Sequence, residues 1–593
     1  MFQEIIDQYF SEKVLQKLEP KQMFKLPISY LSNEKVFPLN SIVSNDLELL
    51  SSEDPDSRPI YDYLFHPQHQ FAVDTIQLWN QYFTTDTDFL CESQEIILDI
   101  ATYKSKMESK KYIVSHDSLM QIWKSTREDP RFLDNYNYIE WDILKHFNTN
   151  TMFLQSISLA NMASPMISFI IPILFLILPF IILKIQGIPI SVEIYIEVLR
   201  DIAKNHFIGK TLTSMKSLDI QNIAYIIFTF CMYLYQIYQN IVSCTRFYTN
   251  ISQINKQLYE MTRYLDYSIH SMHTFIGIIE SRTTYSVFQK DLVKHHDSLS
   301  ELRKEIGKIE QFSVSLFKLT EIGELLKAYY ILYANDEYAD SLNYSFGFEG
   351  YINNLLGLHE NISLSRISAA VFDSSLNTSI ENGYYPSHIA IDYVSNDLTF
   401  DKNIVITGPN ASGKTTYLKT MMINIIFTQQ TGLGFYSSCI LNPYTHIHSY
   451  LNIPDTSGRD SLFQAESRRC KEILDIIETT DVKNARHLCT FDELYSGTNP
   501  EEATKSAYSF LLYLAKNSNV DFILTTHYIS ICSRLRKSEC IDNWKMDAIV
   551  KDDNDIQYIY KIKKGISKIQ GAIKVLKDMK YPKEIIDSIL EWK

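Results

Sequence analysis

The first glycine of this chain is Gly187, and no proline falls between Pro189 and Pro386. Both residues interrupt helices, glycine through its backbone entropy and proline through its missing N–H. Their absence over such lengths predicts long helices before residue 386. Of the 17 glycines, eight lie after residue 400, where turns and close backbone approach are therefore expected. The expected fold class is α + α/β, with a helix-rich N-terminal and lever-like region followed by an α/β domain.

At 593 residues the chain can hold three or four structural units. Its net charge is −14 without a long Lys/Arg block, which argues against a DNA-binding surface over the whole molecule but permits a local basic strip. Eight scattered cysteines, with no C-x-x-C pair, read as reduced thiols in a cytosol-facing protein. The opening MFQEIIDQYF has neither the basic nor the apolar region of a cleaved signal peptide.

Residues 1–150 mix polar loops with helical patterns around Trp79, Trp123 and Trp141, and suggest no chemistry. Residues 162–183, MASPMISFIIPILFLILPFIIL, are 22 in number and carry no charge. As a helix this run measures roughly 33 Å, enough to cross a bilayer core. Pro165, Pro172 and Pro179 recur near one face, and membrane helices tolerate such prolines when neighbours re-satisfy the backbone. A second uncharged stretch, Ile220–Thr245, is densely apolar only over Ile223–Tyr235, and the second candidate span is set at 220–243. Two readings stand for 151–246: a transmembrane hairpin, or core helices of a soluble bundle. If both spans cross, the N-terminus and the C-terminal domain share one side, with 184–219 on the other.

From 247 to 375 the pattern is that of a long-helix, lever-like region. Ile251, Ile254, Leu258, Met261, Leu265, Ile269, Met272, Phe275 and Ile278 keep helical spacing for about 40 Å. A second amphipathic stretch, Leu299–Tyr333, is expected to form another long helix. The polar segment 372–387 marks the boundary of the last domain, 376–593.

In that domain Asn403–Thr407 reads as a strand, and Gly408-x4-Gly413-Lys414-Thr415 opens a helix after it. This is a full P-loop in its strand–loop–helix context. Gly408, Pro409, Asn410, Ala411, Ser412, Gly413, Lys414, Thr415 and Thr416 are the candidate nucleotide-binding residues. Backbone N–H groups would cradle phosphates, Lys414 would reach the β- and γ-phosphates, and the Thr415 hydroxyl would ligand Mg²⁺. Downstream, ARHLCTFDELYSGT ends a short apolar strand in Asp492-Glu493. Asp492 suits the metal's hydration shell, and Glu493 suits activation of the attacking water. DFILTTHY, 521–528, supplies another strand ending in His527, placed to sense the γ-phosphate. ATP and Mg²⁺ are the expected substrate and cofactor.

With these motifs in place, the last 200 or so residues resemble the ATPase domain of the MutS family, within the ABC ATPase superfamily. The resemblance rests on TGPNASGKTTYLKT, on DELYSGT, on Thr526-His527-Tyr528, on SGRDSLFQAE and on the Lys/Gly-patterned tail from Tyr560. It implies a homo- or hetero-dimer whose composite sites close on ATP, with Ser461 reaching the γ-phosphate held by the other subunit. Ser412 and Ser496 depart from residues common in the family. The Phe-x-Glu strings at Phe2–Glu4 and Phe10–Glu12 lack the context of a mismatch-reading wedge.

Three functions are open to such a chain. The first is a MutS-like ATPase acting on DNA in mismatch repair or recombination through its helical arms. The second is a membrane-tethered mechanical ATPase with the same engine, membrane-associated with its ATPase domain facing the cytosol rather than soluble and intracellular. The third is an ABC-type transporter, ranked last because it needs more spans and an L-S-G-G-Q segment.

Overall fold

The structure, a computed structural model, describes residues 24–110, 112, 115–189, 191–203, 220–307, 309–311, 320–390, 393–453, 461–481, 485–550, 556–569 and 571–591. Both Phe-x-Glu strings, residues 190 and 204–219 of the connection, and the Ser457–Asp460 part of the signature segment lie outside them. The chain forms two compact units. One comprises Tyr112–Ile269 and Asp297–Leu342; the other comprises Met1–Lys111, His270–His296 and Asn343–Lys593.

The first of these units is helical. Helix α1 runs from Thr151 to Ile185, capped by the Asn150 side chain, which accepts from the Phe153 N–H at 3.0 Å. It continues through all three prolines. Helix α2 runs from Ile220 to Ile279 without a break, residues 270–279 belonging to the other unit. The sequence suggests a candidate span followed by a separate lever helix, but the two are one rod of about 90 Å. The reason is local: no glycine or proline falls between Ile220 and Ile276 to stop propagation. The opposite correction applies to Leu299–Tyr333. There the helix Ser286–Ile306 ends at Gly307, whose φ of 69° is left-handed, and Ile322–Ala334 is a helix of its own. Trp141, expected within a helical pattern, instead precedes a 3₁₀ segment and is exposed. Among the described residues one segment, Thr151–Ile170, is long and apolar enough to cross a membrane, with mean hydropathy 1.2.

The second unit is built on a six-stranded sheet. Its strands are β1 (Asn403–Thr407), β2 (His446–Tyr450), β3 (His487–Asp492), β4 (Val520–Thr526), β5 (Ile541–Val550) and β6 (Ile556–Lys564). Their order is β2-β3-β4-β1-β5-β6, parallel throughout except for β6 against β5. Helices α3 (Lys414–Thr431) and α4 (Leu462–Thr479) come after β1 and β2 in the chain. Central strands buried on both faces read as continuous apolar runs, and β1 is buried at all five positions. Val405, Cys489, Phe491, Phe522 and Leu524 form the middle of the core. Register does the functional positioning. Asp492 pairs with Thr525, and Thr526 with Thr407, so β3, β4 and β1 end on one edge of the sheet.

The N-terminal segment, which suggested no chemistry as sequence, supports the P-loop helix. Gln430 on α3 donates to the Trp79 carbonyl at 2.7 Å, and the Tyr61 hydroxyl donates to Gln430 at 3.1 Å. Lys419 on the same helix pairs with Glu48 at 2.8 Å. A helix buried on nearly all sides cannot leave such amides unmet, so these bonds fix its position.

Three histidines stack across β2 and β3. The His446 and His487 rings lie 4.7 Å apart, and His448 Nε2 lies 3.1 Å from His487 Nδ1. Burial and mutual repulsion hold His448 at a pKa of about 3 and His487 at about 4, so both are neutral in the fold. An unfolded chain binds protons at these positions below about pH 6.5. The stabilisation is therefore full above that pH and declines as pH falls toward 4. The unfolding midpoint of the wild-type chain is expected to drop over this range, with a shallower drop in His448→Gln/His487→Gln. Equal pH slopes for the two proteins would show that the pair is not held neutral.

Candidate nucleotide site

The loop after β1 reverses direction through left-handed residues, Ala411 at φ 62° and Gly413 at φ 90°. Such residues generate concave sets of backbone N–H groups that favour anions. Gly413 caps α3, so the helix N-terminus adds its positive end. Gly408 permits the close turn, since a Cβ there would lie 2.7 Å from Ser412 Oγ. Asn410 and Ala411 form the exposed tip of the loop. Ser412 Oγ is itself buried and has no hydrogen-bond partner among the described residues. A donor left in that state fits a phosphate oxygen.

Lys414 is buried, and its Nζ donates to the carbonyls of Gly408 at 3.1 Å and Pro409 at 3.2 Å. Desolvation lowers its pKa, against the pull of Glu493 and Asp492, which raise it. Thr415 Oγ1 donates to Asp492 Oδ2 at 2.7 Å, and the Thr525 hydroxyl donates to the other carboxylate oxygen. Hydroxyl and carboxylate are the hard oxygen donors that Mg²⁺ takes, so the pair fits that ion. Thr416 lies in the first turn of α3 and lines the same cavity.

Glu493 comes directly after β3, with φ 53° and its N–H donating to the Thr525 carbonyl at 3.0 Å. Tyr495 is also left-handed, at φ 59°. Two such residues so close together mark a strained turn that its surroundings must hold. His527 Nε2 bonds Glu493 Oε1 at 2.6 Å. That bond is the largest cause of the lowered Glu493 pKa, which partial burial opposes and the charges of His527 and Lys414 assist. The carboxylate is thereby kept ionised and able to accept a proton from water.

Ser461 caps α4 in a capping box with Gln464: its hydroxyl accepts from Gln464 N–H at 3.3 Å, and its own N–H donates back at 2.9 Å. Asp460 beside it is outside the described residues. Glu466, one turn on, is buried and accepts from the N–H groups of Ser496 and Gly497 at 3.0 and 3.2 Å and from the Ser496 hydroxyl at 2.9 Å. Ser496, which departs from the family pattern, thus serves to pin the DELYSGT turn.

Lys414, Thr415, Asp492, Glu493 and His527 are brought together at one sheet edge. Two cavities adjoin them. One, of about 590 Å³, lies over the P-loop and is lined also by Tyr385, His388, Asn396 and Tyr560. The other, of about 610 Å³, reaches Asp492 and Glu493 from the side of Asp46, Tyr450 and Glu466. Asp46 is buried, which raises its pKa, and Ser449 donates to it. Sequence reasoning missed Tyr385, His388, Tyr560 and Asp46. Tyr560 opens the Lys/Gly-patterned tail but was given no role there, no motif marks the other three, and only the polar boundary segment 372–387 hinted at a surface near Tyr385.

Residues 404–592 match the family model of MutS domain V. Similar proteins include the DNA mismatch repair protein MutS of Leuconostoc citreum, 24% identical over 33% of this chain and 22% of its own length. The MutS of Staphylococcus epidermidis is 27% identical over 33% of this chain and 22% of its own. The DNA mismatch repair protein MSH3 of Lodderomyces elongisporus is 29% identical over 41% of this chain and 26% of its own. The chain thus spans about a quarter of the length of the curated relatives it matches.

Proposed function

We propose, from the match of residues 404–592 to MutS domain V, that the chain is a magnesium-dependent MutS-type ATPase of ABC type that acts on DNA as a dimer, in the manner of mismatch repair or recombination proteins. The observation that carries the reading is the hydrogen-bonded set Thr415–Asp492–Thr525 beside the ion pair Glu493–His527, all at the carboxyl edge of β1, β3 and β4.

In this reading the P-loop backbone and Ser412 hold the phosphates, and Lys414 turns from its loop carbonyls toward them. Thr415 and Asp492 would hold a magnesium ion, which would supply charge neutralisation to the phosphates. Glu493 takes the proton of the attacking water, and His527 orients that carboxylate. The Ser461 end of α4, a helix N-terminus, faces an anion supplied across the dimer. Closure of the dimer is the output, and the helical unit transmits it.

The test is Mg²⁺-dependent phosphate release from the purified chain, titrated with duplex DNA at low and moderate salt, with particle mass followed with and without ATP. DNA is expected to change the turnover rate, with binding that weakens as salt rises. ATP is expected to favour the dimer. Turnover that ignores DNA at every salt would remove DNA from the reading, and a chain that stays monomeric with ATP would remove the composite site.

A further inference from the structure

Helices α1 and α2 carry no charged residue from Thr151 to Leu183 or from Ile220 to Thr245. A soluble helix pair of this length turns apolar side chains inward and polar ones to water. Here large apolar side chains face outward instead. Phe169 (54% exposed), Phe228 (64%), Phe230 (59%) and Met232, Leu234 and Ile177 all face outward, and only 11% of the Thr151–Ile170 window is buried. Contiguous apolar exposure on this scale is foreign to a water-facing surface.

Three polar contacts join the helices, while Gln236, Gln239 and Thr245, toward the Arg246 end of α2, are exposed. The Tyr233 hydroxyl donates to the Ser168 carbonyl at 2.8 Å, the Asn240 amide donates to the Ser168 hydroxyl, and Cys244 Sγ donates to the Met162 carbonyl at 3.6 Å. Two of the α1 carbonyls, one met from α2 and one from within α1, have a further meaning. Pro172 has no N–H to give the carbonyl four residues earlier, and that carbonyl is Ser168, met by Tyr233. Pro165 likewise leaves the Asn161 carbonyl, which receives the Ser164 hydroxyl at 2.9 Å. Water would solvate such carbonyls without help. A medium that cannot hydrogen-bond requires protein donors at these positions. The uncharged runs end at Lys184 and Arg246, and 22 residues of α1 measure roughly 33 Å, the depth of a hydrocarbon core.

We propose that the α1–α2 hairpin is inserted in a phospholipid bilayer, with Tyr233, Asn240 and Ser168 as its internal polar contact. The inference is independent of the nucleotide site, and its test uses no ATP. The full chain is expressed, membranes are isolated and washed with alkaline carbonate, and each cysteine is then labelled with a charged, water-borne maleimide and read by mass spectrometry. Cys231, on the outer face of α2, and Cys540, in the other unit, are both exposed on the protein itself. The chain is expected to stay with the membrane pellet until detergent is added. Cys540 should label readily, and Cys231 at least tenfold more slowly until detergent or denaturant is present. Release by carbonate, or equal labelling of Cys231 and Cys540 in membranes, would overturn the proposal. So would a discrete membrane-free oligomer in which Cys231 is protected, since that assigns the face to a second copy. Paired Phe169→Lys and Phe230→Lys substitutions should make the chain carbonate-extractable while Cys540 labelling is unchanged. Undiminished retention of that variant would also count against insertion.

Discussion

Glu493→Gln is expected to lower steady-state ATP turnover by about 10²- to 10³-fold while nucleotide still binds, because general-base catalysis is worth that order. Glutamine keeps the length of the side chain and a hydrogen-bond acceptor for His527 Nε2, 2.6 Å from Glu493 Oε1. What it loses is the ionised oxygen that can take a proton. The left-handed turn at residue 493 is held by the backbone bond to Thr525 and by Glu466 beneath Ser496 and Gly497, none of which the substitution touches. Loss of turnover with retained binding therefore isolates chemistry from folding. Single-turnover hydrolysis beside fluorescent-nucleotide titration separates the two. If the proposed dimer cycle holds, the variant should also accumulate the ATP-bound dimer, since hydrolysis is the step proposed to reopen it. Near-normal hydrolysis would remove Glu493 from the water-activating role, and a joint loss of binding would make it a structural residue of the loop.

Lys414→Ala is expected to weaken nucleotide binding by about 10²-fold or more, since charge-assisted bonds contribute about 1.5–3 kcal/mol each and Lys414 offers several. The geometry adds a complication that the experiment must handle. Lys414 Nζ already satisfies the carbonyls of Gly408 and Pro409, so alanine leaves both acceptors unmet as well as removing the cation. Lys414→Arg restores a donor and a charge but not the compact ammonium, and is expected to bind nucleotide weakly while unfolding near the wild-type midpoint. If alanine lowers the midpoint without nucleotide and arginine does not, loop capping and phosphate contact are separated. Unchanged affinity in both variants would contradict the assignment of the loop.

Both predictions begin from motifs that are legible because they are local. A strand, a short glycine-bounded turn and a helix N-terminus occupy one continuous segment, so Gly408, Gly413, Lys414 and Thr415 announce themselves by spacing alone. Asp492-Glu493 and His527 each end an apolar run, which marks a strand tip but not its neighbours. The pairing of Asp492 with both Thr415 and Thr525 depends on the sheet order β3-β4-β1, and no sequence pattern states that order. Ser461 and Glu466 were visible as matches to a family segment. Their bonds, one to a capping residue and one to the turn after β3, were not visible.

Helix ends divide in the same way. The long run of α2 results from the lack of glycine and proline, whereas the interruption near residue 307 needed the left-handed backbone at Gly307 to be seen. A glycine in a helical pattern is tolerated or terminal according to the backbone conformation it adopts, and the residue types around it do not decide which. The uncharged runs at 162–183 and 220–245 likewise suited either a bilayer or a buried bundle. Which face of each helix is outward is a property of their packing, and there Tyr233, Asn240 and Ser168 lie between the helices while large apolar side chains face out.

By itself the sequence determined the elements whose physics is short-range: the phosphate-binding turn, the long helices and the charge-free stretches. Only the tertiary structure decided what those elements face. It set Asp46, Tyr385 and Tyr560 around the P-loop cavities, seated the N-terminal segment against α3, and placed Tyr233 against the carbonyl that Pro172 leaves unpaired. The physical reason is that such contacts join residues tens to hundreds of positions apart. Their partners are chosen by which buried polar groups remain unsatisfied once the chain has collapsed, and that is a condition on the whole fold.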